Sequence, residues 1–491
     1  MSISSTTNSK AKENQEFVRQ LLAPLLAVII GTFMVILDST VVNVAIPTLV
    51  EYFETSLPTI QWTITAYTLA LSAVIPLAGW MSDKFRAKRV FLFSIGMFTA
   101  GSVLCAFAQT TEQLILFRIL QGIGGGMVSP IGMAMVYRLA PPDKRGSIIG
   151  MFGIPMLLAP ALGPVLSGWL VEYVSWQWIF LINVPIGIIG IIIGRKYLPS
   201  FESKEAPALD LIGMILGPIA FALLAFGVSE GGIEWSSTGT WTGLTVGGIC
   251  LILFIFSCLY QKQPLLELRV FKSSDFSRGI FISWIMQIAL FGTVLLFPLL
   301  LQQIKGYTPL QTGLILLPQA IGSMIFMPIG GKLFDKIGAR PPLLVGMLLI
   351  TAALFVMSRL TLETPLLVIM ILLFFLGSGM GLSMMCLNTH VLNATPPHLV
   401  SRVTPLTSAA QQVVTSFAIA GITGYLTART AWNMAVLPAG KNPLEAGIAS
   451  FGDTYFLAAC IASAGLFLSL FLRRPKQHLL EAAEAKQKFS N

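Results

Sequence analysis

The sequence predicts an all-α polytopic membrane protein with fourteen membrane-spanning helices. Of its 491 residues, 55% are hydrophobic and only 11% are charged, with a mean hydropathy of +0.80, whereas soluble domains are about 25% charged. Its apolar stretches approach or exceed the roughly 20 residues that cross the hydrocarbon core as a helix. They are too long and too uniformly apolar to be the strands of a membrane barrel. The chain therefore has little room for a soluble domain.

The apolar stretches form a six-span half, an inserted pair and a second six-span half. The first half (residues 21–198) has stretches at 21–48, 61–80, 90–108, 114–137, 147–171 and 178–198. The inserted pair with its linkers (199–276) has stretches at 209–230 and 242–261. The second half (277–472) has stretches at 277–303, 311–331, 341–358, 365–392, 403–428 and 453–472. Two polar tails, 1–20 and 473–491, complete the chain and are expected to be cytoplasmic.

A repeated loop motif predicts that the two halves are related. GWMSDKFRAKRV (Gly79–Val90) follows the second stretch, and GKLFDKIGARPP (Gly331–Pro342) follows the tenth, 252 residues later. Prolines follow the fourth and twelfth stretches at Pro141 and Pro396, which are 255 residues apart. These offsets match spans 1–6 to spans 9–14. Related halves around a site near the bilayer midplane are typical of transporters.

The basic residues predict the orientation in the membrane. With the N-terminus inside, cytoplasmic segments carry 26 of the 31 Lys and Arg residues, and the outside loops carry only Lys305, Arg359, Arg429 and Lys441. Short cytoplasmic loops are the ones enriched in Lys and Arg, so both termini are expected in the cytoplasm. The net charge of +9 is therefore a topology signal and does not indicate nucleic-acid binding. No cleavage site precedes the first stretch, which is expected to remain as an anchor.

Two charged residues lie inside the predicted spans. Asp38 occurs in the first stretch, and a carboxylate at that depth costs roughly 2.5–3.5 kcal/mol on insertion scales. Arg118 lies about 6 Å from the outer end of the fourth stretch, and Asp38 about 15 Å from the outer end of the first, at 1.5 Å per residue. Both therefore fall in the outer half of the bilayer. An intramembrane charge predicts a functional site; a fixed ion pair that only joins helices is the alternative.

Small residues and prolines mark the fourth and fifth stretches. Small side chains recur at Gly122, Gly124, Gly125 and Gly126 in the fourth, and at Ala159, Gly163 and Ser167 in the fifth. Prolines remove backbone donors and permit bending, and the fifth stretch has them at Pro155, Pro160 and Pro164. Close helix packing explains the glycines as well as a hinge does, and the series of prolines favours a moving hinge.

Polar and methionine side chains within the spans are candidates for a substrate cavity, since methionine supplies an adaptable apolar wall. The candidates are Asn43, Gln121, Met156, Gln287, Gln319, Asn388, Gln411 and Gln412, with Met286, Met324, Met384 and Met385. For any one of them an ordinary role is favoured, in which glutamines bond between helices and methionines fill gaps or face lipid. His390, near the inner end of the twelfth stretch, is expected to be a hydrogen-bonded helix-end residue.

Five segments carry a family resemblance. They are LDSTVVNVAIPT from Leu37, GWMSDKFRAKRV from Gly79, FRILQGIGGGMVSP from Phe117, GIPMLLAPALGPVLSGWL from Gly153 and SWQWIFLINVPIG from Ser175. Together they resemble the fourteen-span drug:proton antiporters of the major facilitator superfamily, the EmrB/QacA type. The resemblance covers nearly the whole chain. It implies the major facilitator fold, with two six-helix halves plus two inserted helices.

The resemblance also implies roles for individual residues. It assigns proton coupling to Asp38 and Arg118. It implies a cytoplasmic latch between the halves at Gly79, Asp83, Lys88, Gly331, Asp335 and Gly338, in which Asp83 binds cations and a helix N-terminus. It implies an antiporter motif at Gly153, Pro160, Gly163, Pro164 and Gly168. The sequence departs from the family pattern at three positions: Arg86 and Ser167 stand where Gly is usual, and Ala87 where Arg is usual.

The motifs favour a transporter over an enzyme. No G-x-x-x-x-G-K-[ST] motif occurs, and a proton gradient supplies energy instead, at about 2.3 kcal/mol per charge and 100 mV. The five cysteines form no CxxC pair or His cluster, so no disulfide, metal site or cofactor is expected. The expected function is multidrug efflux by proton antiport in the cell membrane, by a monomer whose partners are small-molecule substrates, protons and membrane lipids. Export of an endogenous lipid, siderophore or metabolite is the alternative, and a non-transporting sensor or scaffold is less favoured.

Overall fold

The chain is helical almost throughout. A computed structural model describes residues 3–55, 57–141, 144–200, 210–231, 236–261, 264–294, 296–437 and 442–472, and within these ranges it contains no β-strand. Each of the fourteen predicted stretches contains helix, so the all-α prediction is confirmed. By length and composition, ten helices of the described part are able to cross a membrane, and the apolar helix Ile212–Val228 is shorter. Lys441 and the predicted tail 473–491 lie outside the described residues.

Among the residues that the structure describes, eight helices form the first half. They are α1 (Ile3–Tyr52), α2 (Leu57–Val74), α3 (Ala78–Phe85), α4 (Ala87–Ala106), α5 (Thr111–Leu139), α6 (Arg145–Tyr173), α7 (Trp178–Leu181) and α8 (Asn183–Tyr197). A 3-10 turn, Ile75–Leu77, joins α2 to α3. Helix α1 begins at Ile3, within the predicted polar tail 1–20. The hydroxyl of Thr110 accepts from the Gln113 N–H at 3.3 Å and caps α5.

The inserted pair consists of α9 (Leu211–Gly231) and α10 (Thr238–Tyr260). Asp210 sets the start of α9, because its carboxylate accepts from the Gly213 N–H at 2.7 Å and from Gln261 Nε2 at 2.8 Å. Helix α9 packs against α10, α2 and α16. The rings of Trp62 and Phe226 stack across the α2–α9 contact, with their centroids 6.1 Å apart.

Seven helices form the described part of the second half. They are α11 (Ser274–Val294), α12 (Leu296–Leu299), α13 (Pro309–Ile337), α14 (Arg340–Met357), α15 (Leu366–Asn393), α16 (Val400–Ala435) and α17 (Pro443–Ser469), with a π-helical turn at Leu300–Ile304 between α12 and α13. Thr308 and Gln311 form a capping box at the start of α13. Gly338 ends α13 with a φ of +86°, a conformation open to glycine at little cost.

The two halves meet along two seams. Helix α6 packs along α13, and α16 packs against α3 and α5. A Cβ on Gly150 would lie 3.1 Å from the Met327 carbonyl oxygen, and one on Gly313 would lie 2.8 Å from the Val165 side chain, so the first seam is close near both ends. Each half has its own apolar core. Met327 and Met385 of the second half are buried among side chains of the first, which joins the two cores.

Candidate functional site

A buried charge network surrounds Asp38 inside the first half. Arg118 Nη1 lies 2.5 Å from Asp38 Oδ2, so the two intramembrane charges form an ion pair. Asp38 Oδ1 accepts two more hydrogen bonds, from Gln121 Nε2 at 2.9 Å and from Asn183 Nδ2 at 2.8 Å. Asp38 and Arg118 are each only 1% exposed. The carboxylate belongs to α1, and its hydrogen-bond donors come from α5 and α8.

Arg118 has partners beyond the carboxylate. Its Nε donates to the Thr63 carbonyl oxygen at 3.1 Å, and its Nη1 donates to Gln121 Oε1 at 2.6 Å. The guanidinium carbon lies 3.9 Å from the centroid of the Tyr67 ring, within the range of a cation–π contact. A buried ion pair is favourable only when such extra bonds satisfy the remaining donors. The network therefore extends to α2.

Ser102 closes the network on the side of α4. Its hydroxyl accepts from Gln121 Nε2 at 2.6 Å and lies 3.3 Å from Asn183 Nδ2. Gln121, which sequence reasoning assigned to the substrate cavity, is fully buried here and uses both ends of its amide in the network. Asn183 was not singled out from the sequence. The sequence offered one signal for Asn183, which is that this polar residue lies among apolar ones near the start of the sixth stretch.

The glycines of α5 let neighbouring helices approach the network closely. A Cβ on Gly122 would lie 2.6 Å from the Tyr67 carbonyl oxygen, and one on Gly126 would lie 2.5 Å from that of Leu71, both on α2. A Cβ on Gly124 would lie 2.6 Å from the Phe98 amide nitrogen on α4. Backbone packing accounts for these three glycines. In α6, a Cβ on Gly163 would overlap Thr40 of α1, two residues from Asp38.

Asp335 joins the second half to the first at the predicted cytoplasmic side. Its carboxylate accepts from the backbone N–H groups of Gly146 at 2.9 Å and Ser147 at 3.0 Å, and from the Ser147 hydroxyl at 2.7 Å. These groups form the first turn of α6, where unpaired amides and the helix dipole favour a negative charge. Gly331, one turn earlier on α13, allows this contact because a Cβ there would overlap the Gly146 carbonyl.

Asp83 makes the corresponding contact in the other direction. Its Oδ2 accepts from the Ser401 hydroxyl at 3.2 Å in the first turn of α16. Arg402 Nε lies 3.8 Å from the same oxygen, and Arg138 Nη2 lies 3.9 Å from Oδ1. A Cβ on Gly79 would lie 2.5 Å from the Ser401 carbonyl oxygen. Each aspartate thus lies against the first turn of a helix of the opposite half.

The rest of the predicted latch differs between the two copies. Arg86 follows α3 with a φ of +69°, in the place where Gly338 follows α13. Lys88 is half-buried in the first turn of α4. A third contact between the halves, from the Tyr137 hydroxyl to Asn393 Oδ1 at 2.9 Å, was not expected from the sequence.

The remaining cavity candidates are dispersed over the second half. Gln319 Nε2 lies 3.4 Å from Met380 Sδ, which links α13 to α15. Gln287 is buried, whereas Asn388, Gln411 and Gln412 are half-buried. Met286 and Met385 fill cores, Met384 packs against one and Met324 is exposed. His390 Nε2 lies 3.2 Å from the Asp275 carbonyl oxygen, which confirms a hydrogen-bonded histidine. The side chains of Asn43, Met156, Pro155, Pro160 and Pro164 lie outside the described part.

The glycines of the predicted antiporter motif occupy three different surroundings. Gly153 faces Met327 across the α6–α13 seam, and Gly163 faces α1. Gly168 has open space where a Cβ would lie. Gly153 therefore belongs to the boundary between the halves, and Gly163 to the packing beside the charge network.

Comparison with known proteins assigns the fold and the family. The family model described as Major Facilitator Superfamily matches residues 28–419. The chain is 36% identical over 406 residues to the Multidrug resistance protein B homolog of Mycobacterium tuberculosis, covering 81% of this chain and 75% of that one. It is 30% identical over 482 residues to the Lincomycin resistance protein LmrB of Bacillus subtilis, covering 96% and 98%. It is 32% identical over 504 residues to the uncharacterized MFS-type transporter YhcA of Bacillus subtilis, covering 94% and 95%.

The helical arrangement is also that of solved transporters. The proton:xylose symporter XylE superposes with a TM-score of 0.65 at 16% identity, covering 92% of this chain and 96% of that one. The human organic anion transporter MFSD10 does so with the same TM-score at 14% identity, covering 91% and 99%. Identity this low speaks for the fold alone. With the family match over most of the sequence, these findings establish that the chain belongs to the major facilitator superfamily.

Proposed function

We propose that this protein is a fourteen-span, proton-coupled antiporter that exports amphipathic, often cationic small molecules from the cell. The observation that carries the proposal is the Asp38 carboxylate, buried at membrane depth and bonded to Arg118, Gln121 and Asn183. Relatives named for multidrug and lincomycin resistance support the export of drugs. The gradient of protons is the energy source, and no cofactor is required.

Protonation of Asp38 is the proposed coupling step. In the present arrangement the charge of Arg118 is balanced by Asp38, and both are removed from water. A proton on Asp38 would leave the guanidinium without its counter-charge, and a buried charge without a partner costs about 3–5 kcal/mol. The network must then rearrange, and α1, α2, α5 and α8 carry its members. This rearrangement is the proposed link between proton uptake and substrate release.

The two aspartate contacts are the proposed latch of alternating access. Asp335, bonded to the first turn of α6, and Asp83, bonded to the first turn of α16, hold the halves together at the predicted cytoplasmic side. We assign this arrangement to a state closed toward the cytoplasm, with both termini on that side. Breaking both contacts would separate the halves there and admit substrate. The chain is proposed to act as a monomer in the cell membrane.

Transport by reconstituted protein tests the proposal. Vesicles that contain the wild-type protein and have an imposed pH gradient are expected to accumulate cationic dyes or lincomycin. The Asp38→Asn variant is expected to be expressed but to show no uptake, because Asn keeps the size and polarity of Asp but cannot ionise. Asp453→Asn is the matched control, since Asp453 of α17 is a partly exposed carboxylate paired with Arg429 of α16. Undiminished pH-driven uptake by Asp38→Asn would place the proton site elsewhere. If an endogenous lipid or metabolite drives proton flux and neither the dyes nor lincomycin does, drugs are rejected as the cargo.

A further inference from the structure

A basic cavity lies at the ends of α11, α14 and α17, apart from the charge network and the aspartate contacts. Its volume is about 750 Å³, within the size range of ligand sites. The polar part of its lining comprises Ser274, Ser277 and Arg278 from the first two turns of α11 and Arg340 from the first turn of α14. All three helix ends lie on the side that the basic-residue count assigns to the cytoplasm.

The two arginines give the cavity an unbalanced positive charge. Both side chains are exposed, and the ion pairs found among the described residues involve neither of them. Asp275, the acidic residue in the first turn of α11, does not line the cavity. Asp335, five residues before Arg340, is bonded to the first turn of α6. Among the residues that the structure describes, the lining therefore presents two guanidinium groups and two hydroxyl groups and no carboxylate.

The rest of the lining is apolar, and four of its six residues are exposed. Phe281 is 51% exposed and Phe471 is 55% exposed, and Leu468 and Leu470 are exposed beside them. Phe281 lies three residues further along α11 than Arg278, which is about 4.5 Å deeper at 1.5 Å per residue. The cavity thus combines two arginines at the membrane surface with an exposed aromatic side chain, Phe281, that lies deeper along α11. A diacyl lipid with an anionic headgroup has the matching arrangement of charge and apolar surface.

We propose that this cavity binds an acidic phospholipid of the inner leaflet, such as phosphatidylglycerol. The guanidinium groups of Arg278 and Arg340 bind the phosphate oxygens, since arginine matches phosphate with paired hydrogen bonds. The hydroxyls of Ser274 and Ser277 donate to the same headgroup, and the acyl chains lie along Phe281. Basic pockets between membrane helices on the cytoplasmic side are suited to such headgroups. The bound lipid would hold α11, α14 and α17 together at this end.

Lipid-dependent thermal unfolding of the full chain in an uncharged detergent tests the proposal. Phosphatidylglycerol is titrated into wild-type protein, and native mass spectrometry counts the lipids that remain bound. The double variant Arg278→Gln/Arg340→Gln is expected to need about thirtyfold more lipid for half of the stabilisation, at about fivefold for each charge. The matched control is Arg195→Gln/Lys196→Gln, which removes two exposed charges at the predicted cytoplasmic end of α8, outside this cavity. The lipid concentration that this control needs for half of the stabilisation is expected to stay within twofold of the wild-type value.

Three outcomes would overturn the proposal. The first is an equal lipid requirement in the double variant and wild type. The second is equal stabilisation by phosphatidylcholine or by inorganic phosphate, which would show that an acidic lipid is not the ligand. The third is a response to phosphatidylglycerol only after the chain is shortened beyond Leu472, which would assign the cavity to residues 473–491. If the double variant does not fold, the single variants Arg278→Gln and Arg340→Gln carry the test, with about a fivefold effect each.

Discussion

At the scale of single residues, Asp38 accepts hydrogen bonds from three side chains, and two of them are neutral amides. Gln121 and Asn183 both donate to Oδ1, while Arg118 donates to Oδ2. Donors of this kind stabilise the charged form of a carboxylate. The amides are therefore positioning residues for the ion pair, and their loss should weaken the pair without removing either charge.

We expect Asn183→Ala to lower the free energy of unfolding by about 1–3 kcal/mol, because a buried acceptor loses a donor. The same substitution made in the Asp38→Asn background should cost less, since the charged acceptor is already gone. Thermal or denaturant unfolding of the four proteins in this double-mutant cycle gives the coupling energy. Equal costs in the two backgrounds would mean that Asn183 acts through some other contact.

The charges were predictable from the sequence, but most of their surroundings were not. Asp38 and Arg118 stand out because a charge in an apolar stretch is costly wherever the helices lie. The roles of Asn183 and Ser102 depend on α8 and α4 lying beside α1, and helix order around a bundle is not encoded in hydropathy or spacing. The sequence shows that Gln121 is polar but not which helices lie beside it. The prediction that Gln121 lines a substrate cavity therefore rested on its polarity alone.

At the scale of helices, the two repeats end their loop helices differently. Gly338 follows α13 with a φ of +86°, and Arg86 follows α3 with a φ of +69°. A residue with a Cβ is strained in this region by about 1–3 kcal/mol. The departure of Arg86 from the family pattern was visible in the sequence. The structure adds that the backbone keeps the conformation that suits glycine.

Arg86→Gly is expected to stabilise the protein by about 1 kcal/mol, because the relief of strain exceeds the 0.5–1 kcal/mol that glycine loses through backbone entropy. Arg89→Gly is the control: it removes the same side chain inside α4 and should destabilise by about 1 kcal/mol. The midpoint of thermal unfolding in detergent reports both. A lower midpoint for Arg86→Gly than for wild type would show that the arginine side chain contributes more than its backbone strain costs.

Gly331→Ala is expected to force α13 away from α6 at the predicted cytoplasmic side, since the new Cβ overlaps the Gly146 carbonyl. Spin labels at Lys144 and Ile337, on the two sides of this seam, should show a longer and broader distance distribution. Gly248→Ala on α10 serves as the control, because open space surrounds that position. Unchanged distances in Gly331→Ala would mean that the seam accommodates a methyl group there.

At the scale of the whole molecule, the two aspartate contacts are related by the repeat but are unequal. Asp335 accepts three hydrogen bonds of 2.7–3.0 Å. Asp83 accepts one of 3.2 Å and has two cations at 3.8 Å and 3.9 Å. The second-half copy, which lies nearer to the family pattern in sequence, thus makes the tighter contact. Sequence reasoning emphasised Asp83 as the ligand of a helix N-terminus, and the fuller set of bonds belongs to Asp335.

Asp335→Asn is therefore expected to shift the population toward the inward-open state more than Asp83→Asn does. A contact worth about 1.4 kcal/mol changes the ratio of the two states about tenfold. Distances between spin labels at Arg89 and His398 report the α3–α16 seam, and those at Lys144 and Ile337 report the α6–α13 seam. If neither variant changes any distance, these loops contribute to topology alone.

The position of the inserted pair makes the two lipid-facing flanks of the protein unlike. Helix α9 packs against α2 of the first half and α16 of the second, and α10 lies outside α9. Among the described helices, the inserted pair packs chiefly on this one flank, so the approximate twofold symmetry of the halves does not extend to the protein's contact with the bilayer. An amphipathic molecule dissolved in the membrane consequently meets a shielded boundary on one flank and the α6–α13 boundary on the other. We expect lateral access from the bilayer to favour the second flank.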